Sequence, residues 1–193
     1  MSVQNTKIVT PIGRASFPSV FTPKAFGNQD PKYSLTLLLP KGDPEVEKWI
    51  AETKKLCGEL AKEKWGANIP KKLHNPFRDG DEEDYDGYAG MWFIRASNDA
   101  KRRPQVVRKL RNGTFEPLLE EDFYAGCYAI MSIVPYAFDR DEKKGVTFSL
   151  QNVLKVRDGE PFGAGASKPA DDFAAAPATD EGGAESGEEP SFF

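Results

Sequence analysis

Strand-type patterning dominates this sequence. In residues 32–40 (KYSLTLLLP), the apolar side chains at odd positions share one side, which predicts a half-buried strand that ends at Pro40. A tight two-residue turn at Asn112-Gly113 predicts a hairpin over 104–118. The remaining strand-like segments are rich in β-branched and aromatic residues: 7–24, 91–97, 126–138 and 146–156.

Only one segment has helical periodicity. Apolar residues recur at three- and four-residue spacing from Val46 to Leu60, and Trp49 lies within that apolar stripe and is expected to pack in the core. Asp43 suits the N-cap, and Gly66 suits the C-terminal end. Because helices do not alternate with strands, the sequence predicts a mainly β fold built on a small barrel, not a doubly wound sheet.

The periodicity disappears near the C-terminus. Glycine, alanine, proline, serine and acids dominate there, and such a segment cannot bury enough apolar surface to offset the entropy of ordering it. We therefore predict a folded domain over 1–161 and a disordered acidic tail over 162–193. Residues 161–193 contain one lysine and seven acids, so the remaining 160 residues carry a net charge of +2 within a total of −4.

Several classes of site are disfavoured by the residue inventory. Cys57, Cys127 and the single histidine, His74, supply no zinc-ligand spacing and no disulfide framework. The acidic segment 79–86 lacks the glycine of a calcium loop, and no nucleotide-binding motif is present. We expect no catalytic site, metal or cofactor. With no apolar run of membrane-spanning length, we also expect no membrane partner and a cytoplasmic location.

Basic and aromatic residues are interleaved along the predicted domain. The segment 101–111 (KRRPQVVRKLR) has six basic side chains. Cations that follow a phosphate backbone gain from counterion release, and aromatic faces stack on unpaired bases with little sequence preference. This combination, on a basic domain with an acidic tail, predicts binding to single-stranded nucleic acid.

The last six residues, EEPSFF, place two aromatic rings at the end of an acidic segment. An acidic tail imitates a phosphate backbone, so we expect it to occupy a basic groove weakly until a strand displaces it. The freed tip would then bind another protein through a hydrophobic pocket with a basic rim. The residues predicted to bind such a partner are Glu188, Glu189, Pro190, Phe192 and Phe193.

The domain resembles a tailed-phage family that was first catalogued as a domain of unknown function and later recognised as single-stranded DNA-binding proteins. The matching segments run from 15 to 161: ASFPSVFTPK, YSLTLLLPKGD, NPFRDGDE, YAGMWFIRAS, FYAGCYAIMSIVPYAFD and KGVTFSLQNVLKVRDGEP. The tail is similar to the Phe-terminated tails of bacterial single-stranded DNA-binding proteins and their podophage counterparts. Bacterial tips end in Pro-Phe, whereas here Pro190 is followed by Ser191, Phe192 and Phe193.

The resemblance implies a five-stranded antiparallel oligonucleotide/oligosaccharide-binding barrel (OB-fold) with one long helix, extra hairpins and no enzymatic activity. In that fold the helix usually lies between the third and fourth strands, whereas here it follows the second predicted strand. Either two strands are merged in 7–22 or the family carries an inserted helix.

We therefore expect a protein that coats and protects unpaired DNA during phage replication, recombination and repair in the host bacterial cytoplasm. The expected partners are single-stranded DNA and, through the tail, replication or recombination proteins, with a homodimer left open. The side chains predicted to bind the strand are basic or aromatic: Arg14, Phe17, Phe21, Lys72, Trp92, Arg95, Lys101, Arg103, Arg108, Tyr124, Tyr128 and Tyr136.

The sequence also leaves two alternative functions open. One is an annealing protein that also binds duplex DNA. The other is a nuclease in which Asp81, Glu83 or Asp141 holds a divalent ion.

Overall fold

A computed structural model describes residues 5–140 and 143–163. Asp141 and residues 164–193, which include the partner-binding tip and all but the first two residues of the predicted tail, therefore lie outside the described residues. The helix α1 is Pro44–Trp65. The strands are β1 (Ile8–Val9), β2 (Gly13–Lys24), β3 (Lys32–Pro40), β4 (Phe77–Asp79), β5 (Met91–Asp99), β6 (Gln105–Lys109), β7 (Phe115–Pro117), β8 (Tyr128–Arg140) and β9 (Lys143–Arg157). None of the helices in these residues is long and apolar enough to span a membrane.

Five strands close into a barrel, as predicted. The pairing runs β2, β3, β5, β9 and β8, and β8 returns to β2. Four of the five pairings are antiparallel, and the fifth joins β5 to β9 in parallel at Ala96↔Phe148 and Ser97↔Ser149. This strand order, with one parallel pairing, is the arrangement of an OB-fold barrel.

The position of the helix departs from the usual barrel. Residues 7–24 contain two strands, but β1 pairs with β8 and takes no part in the closed barrel. Helix α1 therefore lies between the second and third barrel strands, β3 and β5. The hairpin β6–β7 occupies the connection between the third and fourth barrel strands, where a helix is usual. The inserted-helix alternative is the correct one.

The helix has the predicted boundaries. The Asp43 carboxylate accepts N–H bonds from Glu45 at 2.9 Å and Val46 at 3.2 Å, and Gly66 ends the helix with a φ of 56°. Trp49 packs against the core, as expected from the apolar stripe. The hairpin was predicted with a two-residue turn, but the N–H of Leu110 donates to the carbonyl of Thr114, so its loop holds three residues, 111–113.

Strand β3 is buried on both faces, so the prediction of a half-buried strand is wrong. Leu35 and Leu37 point into the barrel core. On the other face Leu38 is fully buried beneath Tyr88 and Phe93. Side chains alternate between the two faces as predicted, but a loop covers the face that was predicted to be exposed to solvent.

The barrel interior and one side of α1 form a single core. Phe148, from the middle of β9, is fully buried and meets the Phe77 ring edge-on, with ring centroids 5.8 Å apart. Both cysteines are buried in this core, and desolvation raises the pKa of the Cys57 thiol to about 12. The thiols are therefore inert at neutral pH.

Replacing Phe148 with Ala should lower the free energy of unfolding by about 3–5 kcal/mol, because it leaves a cavity in the barrel core. Thr147 is the control, since it lies on the outer face of the same strand. Thr147→Ala should change stability by no more than about 0.5 kcal/mol. Chemical denaturation of both variants measures the difference, and equal losses would contradict the assignment of inner and outer faces.

Candidate nucleic-acid interface

A groove runs across the outer face of β3 and β5. The pairs Leu37↔Ile94 and Leu35↔Ala96 point inward, so the residues between them point outward. The segments before and after β4 form one wall of the groove. The volume of the groove is about 580 Å³. The lining side chains are aromatic, basic or small and polar: Phe17, Phe26, Thr36, His74, Pro76, Arg78, Glu83, Tyr85, Tyr88, Phe93, Arg95, Ser97 and Thr147.

Four aromatic rings form a continuous row in this groove. The ring centroids of Phe17 and Tyr85 are 5.1 Å apart, those of Tyr85 and Tyr88 are 5.3 Å apart, and those of Tyr88 and Phe93 are 5.1 Å apart. Phe17 is 54% exposed and Tyr85 is 53% exposed, whereas Tyr88 and Phe93 are buried. Two buried rings thus support two exposed ones, which present faces and edges to a ligand.

The backbone places Phe17 in an unusual conformation. Its φ is 44°, in the left-handed region that L-residues other than glycine avoid. The pairing of β2 with β3 shifts register between Ser16 and Ser19, so Phe17 lies in a bulge of the strand. The bulge is what leaves this large apolar ring in the groove, exposed and in contact with Tyr85.

Two arginines supply positive charge within the groove. The Arg95 guanidinium lies 4.4 Å from the centroid of the exposed Phe26 ring and donates to Ser34 Oγ at 3.3 Å. Burial lowers the pKa of Arg95, but an arginine still carries its charge at neutral pH. The Arg78 guanidinium lies 5.0 Å from the centroid of the Phe93 ring. Both guanidinium groups therefore lie beside aromatic rings. This arrangement suits a ligand in which flat bases alternate with phosphates.

His74 also lines the groove, where desolvation and the nearby charge of Arg78 lower its pKa. The imidazole is therefore neutral at physiological pH in the folded chain. It lines the groove and can form hydrogen bonds, but it adds no positive charge.

Acids of the segment 79–86 make structural contacts. Lys41 Nζ pairs with the carboxylates of both Asp79 and Asp81, and the Gly90 N–H donates to Asp81 at 2.6 Å. Those hydrogen bonds, from Lys41 to Asp79 and chiefly from Gly90 to Asp81, hold the pKa of each carboxyl below its usual range. Glu83 pairs with Arg78. In residues 5–140 and 143–163, no group of three potential ligands could hold a metal ion.

A second basic and aromatic surface lies where the described chain ends. The Arg14 guanidinium is 4.0 Å from the centroid of the Phe162 ring and 5.7 Å from that of Tyr128. The Arg157 guanidinium lies 3.4 Å from the Tyr128 centroid. Tyr124 is adjacent, and its hydroxyl donates to Asp158 or the Gly159 carbonyl at 3.0 Å.

The predicted strand-binding residues separate into groups. Phe17 and Arg95 line the groove, and exposed Tyr136 adjoins it through its cross-strand partner Thr147. The second surface includes Arg14, Tyr124 and Tyr128. Arg108 adjoins it, because it lines a pocket together with Tyr124 and Arg157. The predicted residues that line neither region are Phe21, Lys72, Trp92, Lys101 and Arg103.

Three of the predicted residues outside the groove have contacts that define their positions. Trp92 packs against the core, and its indole N–H donates to Glu47 Oε1 of the helix at 3.0 Å. Arg103 lies 5.8 Å from the ring centroid of the partly buried Phe21. Arg108 forms an ion pair with Glu116 across the hairpin. The basic cluster at 101–111 is thus spread over the turn after β5 and the hairpin.

The residues predicted to bind the strand do not include Phe26, His74, Arg78, Tyr85 or Tyr88. Phe26 and Tyr85 each stand in a polar, glycine-containing turn. A large aromatic residue in such a turn has no core to enter, and that signal could have identified both.

Known proteins resemble this chain in sequence and in fold. The profile of a family described as "Enterobacter phage Enc34, ssDNA-binding protein" matches residues 6–183. A putative protein, p50, of Acyrthosiphon pisum secondary endosymbiont phage 1 is 34% identical over 172 residues, covering 83% of this chain and 88% of that protein.

Solved structures of phage single-stranded DNA-binding proteins also resemble this chain. The single-stranded DNA-binding protein of bacteriophage Enc34 in complex with single-stranded DNA matches with a TM-score of 0.66 and 28% identity, over 81% of this chain and 89% of that one. Gp2.5, a single-stranded DNA-binding protein encoded by bacteriophage T7, matches with a TM-score of 0.57 over 94% of this chain and 99% of that one. At 19% identity, the latter match shows the fold alone.

Paired substitutions at Phe17 should separate the role of the ring from the strain of the backbone. Phe17→Gly and Phe17→Ala both remove the ring, so each should weaken binding of an oligothymidylate by about tenfold or more. Phe17→Gly should be more stable than Phe17→Ala by about 1 kcal/mol, because only glycine adopts a positive φ freely. Fluorescence-anisotropy titration and urea denaturation measure the two effects. Unchanged affinity would place the ring outside the binding site, and equal stability would mean that position 17 is unstrained.

Proposed function

The chain belongs to the family of single-stranded DNA-binding proteins represented by that of phage Enc34, and from this premise we propose that its groove binds single-stranded DNA. It coats unpaired DNA and protects it during phage replication, recombination and repair. It acts by binding and not by catalysis, in the cytoplasm of the host bacterium.

The observation that carries this proposal is the row of aromatic rings beside two arginines on the outer face of β3 and β5. Phe17 and Tyr85 are the exposed members of the row, and Arg95 and Arg78 are the cations. A protein with the same fold at 28% identity has been solved in complex with single-stranded DNA. Two independent lines, the chemistry of the groove and the family, therefore support the same ligand.

The groove chemistry favours unpaired strands over duplex. Bases in a duplex are stacked on each other and offer no free face to Phe17 or Tyr85, whereas unpaired bases can stack on either ring. Arginines attract the phosphate backbone of any sequence. Binding should therefore depend strongly on salt and weakly on base identity, as coating a whole strand requires.

The described carboxylates of the acidic loop support a binding role over a nuclease role. A nuclease of the metal-dependent class needs carboxylates that are free to coordinate an ion. Here Asp79 and Asp81 are paired with Lys41, and Glu83 is paired with Arg78. These pairs support a structural role, in which the acids hold the loop that carries Tyr85 and Tyr88.

The acidic tail has two roles in this proposal. Its seven acids compete with DNA for the basic groove, and its tip, with Phe192 and Phe193, recruits replication or recombination proteins. Both roles follow from the composition of residues outside the described part of the chain.

Titration with single-stranded and duplex oligonucleotides at several salt concentrations tests the proposal. Single strands should bind tighter than duplex, with a logarithmic salt slope of about −0.7 for each phosphate neutralised. Arg95→Gln should weaken binding and make the slope shallower by about 0.7. Lys48→Gln is the control, because Lys48 is an exposed cation on α1, and it should change neither quantity. Equal effects of the two substitutions, or tighter binding to duplex, would contradict the proposal.

The same assay addresses the basic cluster at 101–111, whose role in binding stays a prediction. The double variant Arg103→Gln/Arg108→Gln should lower affinity and flatten the salt slope. An unchanged slope would mean that the cluster faces away from the DNA.

Deletion of residues 163–193 should raise the affinity for single strands, most clearly at low salt, where charges reach farthest. The domain should remain folded, because the deletion removes no periodic apolar residues. A full-length variant with the seven tail acids changed to amides is the matched control, and it should reproduce the gain. Weaker binding or loss of folding in the truncated protein would show that the tail is a structural element.

A further inference from the structure

The chain leaves the barrel along a short segment, residues 158–162, which we call the exit strap. Side chains and backbone of the barrel hold it closely. Arg14 donates to the carbonyls of Gly126 at 3.3 Å and Glu160 at 2.5 Å. The Gly159 N–H donates to the Tyr124 hydroxyl at 3.2 Å. These contacts hold the chain on the barrel as far as the beginning of the predicted tail.

Phe162 ends the strap with its ring in a narrow slot. One face of the slot is the Arg14 guanidinium, 4.0 Å from the ring centroid. Gly87 also bounds the slot, and an added Cβ there would come within 2.3 Å of the Phe162 ring. Gly87 has a φ of 79°, so both its backbone conformation and the space beside it exclude a side chain. The ring itself is only half-buried.

The slot is continuous with the groove. Phe162 packs against the cluster of Leu38, Tyr88 and Phe93, and the last two of these line the groove. Gly87 lies in the same loop as Tyr85 and Tyr88. The slot and the exposed rings of Phe17 and Tyr85 therefore rest on the same buried pair, Tyr88 and Phe93.

The slot suits a nucleobase as well as a phenyl ring. Guanidinium planes stack on unpaired bases, and a glycine backbone admits a flat ring at close range. Beyond the slot, Arg14 also lies over Tyr128, and Arg157 covers that ring at 3.4 Å from its centroid. These two cations would neutralise the phosphates that flank a base in the slot.

We propose that Phe162 occupies a base-stacking slot in the unbound protein and that a bound strand displaces it. The inference rests on the proposed function, because it extends the same strand beyond the groove. Phe162 is the first residue of the predicted tail, so a base that enters the slot also detaches the start of the tail from the barrel. Binding of DNA and release of the tail are then coupled through one side chain.

A length series of oligothymidylates tests this proposal on the full chain. Oligonucleotides that fill only the groove should bind wild-type protein and the Phe162→Ala variant equally. Those several nucleotides longer should bind the variant about 3- to 10-fold tighter, since no ring competes for the slot. Arg14→Gln should weaken binding of the longer oligonucleotides only. An effect of Phe162→Ala that is equal at both lengths, or weaker binding of the longer ones, would overturn the proposal.

A second measurement covers the case in which Phe162→Ala destabilises the domain. The chain with p-cyanophenylalanine at position 162 keeps an aromatic ring, and its nitrile stretch reports hydration. The nitrile should move to a hydrated frequency when a long oligothymidylate binds and stay unchanged with a short one. No shift with the long one would overturn the proposal. If wild-type protein binds no oligothymidylate at all, the proposed function itself fails.

Discussion

The pairing of β9 with its neighbours is the interaction on which the rest of the molecule depends. This strand pairs with β8 along most of its length and joins β5 in parallel, so it closes the barrel. It also fixes the groove wall, because the His74 N–H donates to the Lys144 carbonyl at 2.8 Å at the start of the loop. Gly145 permits that contact, since a Cβ there would come within 2.5 Å of His74. The exit strap is the direct continuation of the same strand.

Buried and exposed side chains have different roles in the groove. Tyr88 and Phe93 are buried and fix the positions of Phe17 and Tyr85, which are exposed. The charged groups also have different roles: Lys41 forms ion pairs with two acids of the loop, whereas Arg95 lies beside the exposed ring of Phe26. A rigid base beneath two accessible rings reduces the entropy lost when a flexible strand is ordered on them.

Local features of the sequence predicted local structure well. The bounds of α1 follow from Asp43 and Gly66, which act within a few residues of themselves. The parallel joining of β5 to β9 links residues about fifty positions apart, and no local pattern encodes it. The alternation of side chains along β5 likewise predicted two faces but did not show which one is exposed to solvent. In the structure Arg95 lies on the groove face, whereas Trp92 lies on the inner face. Phe26 and Tyr85 belong to turns, whose positions are set by tertiary contacts.

Barrel closure by the last strand also constrains how the chain folds during synthesis. The strands β2, β3 and β5 leave the ribosome well before β9, and until then β5 lacks its partner at Ala96 and Ser97, beyond the part of the same edge that pairs with β4. Pairings between distant segments form slowly, because loop-closure entropy is lost before the contacts form. The nascent chain therefore exposes apolar strands until residues 143–157 have been made, and it is in that interval that chaperones would protect it from aggregation.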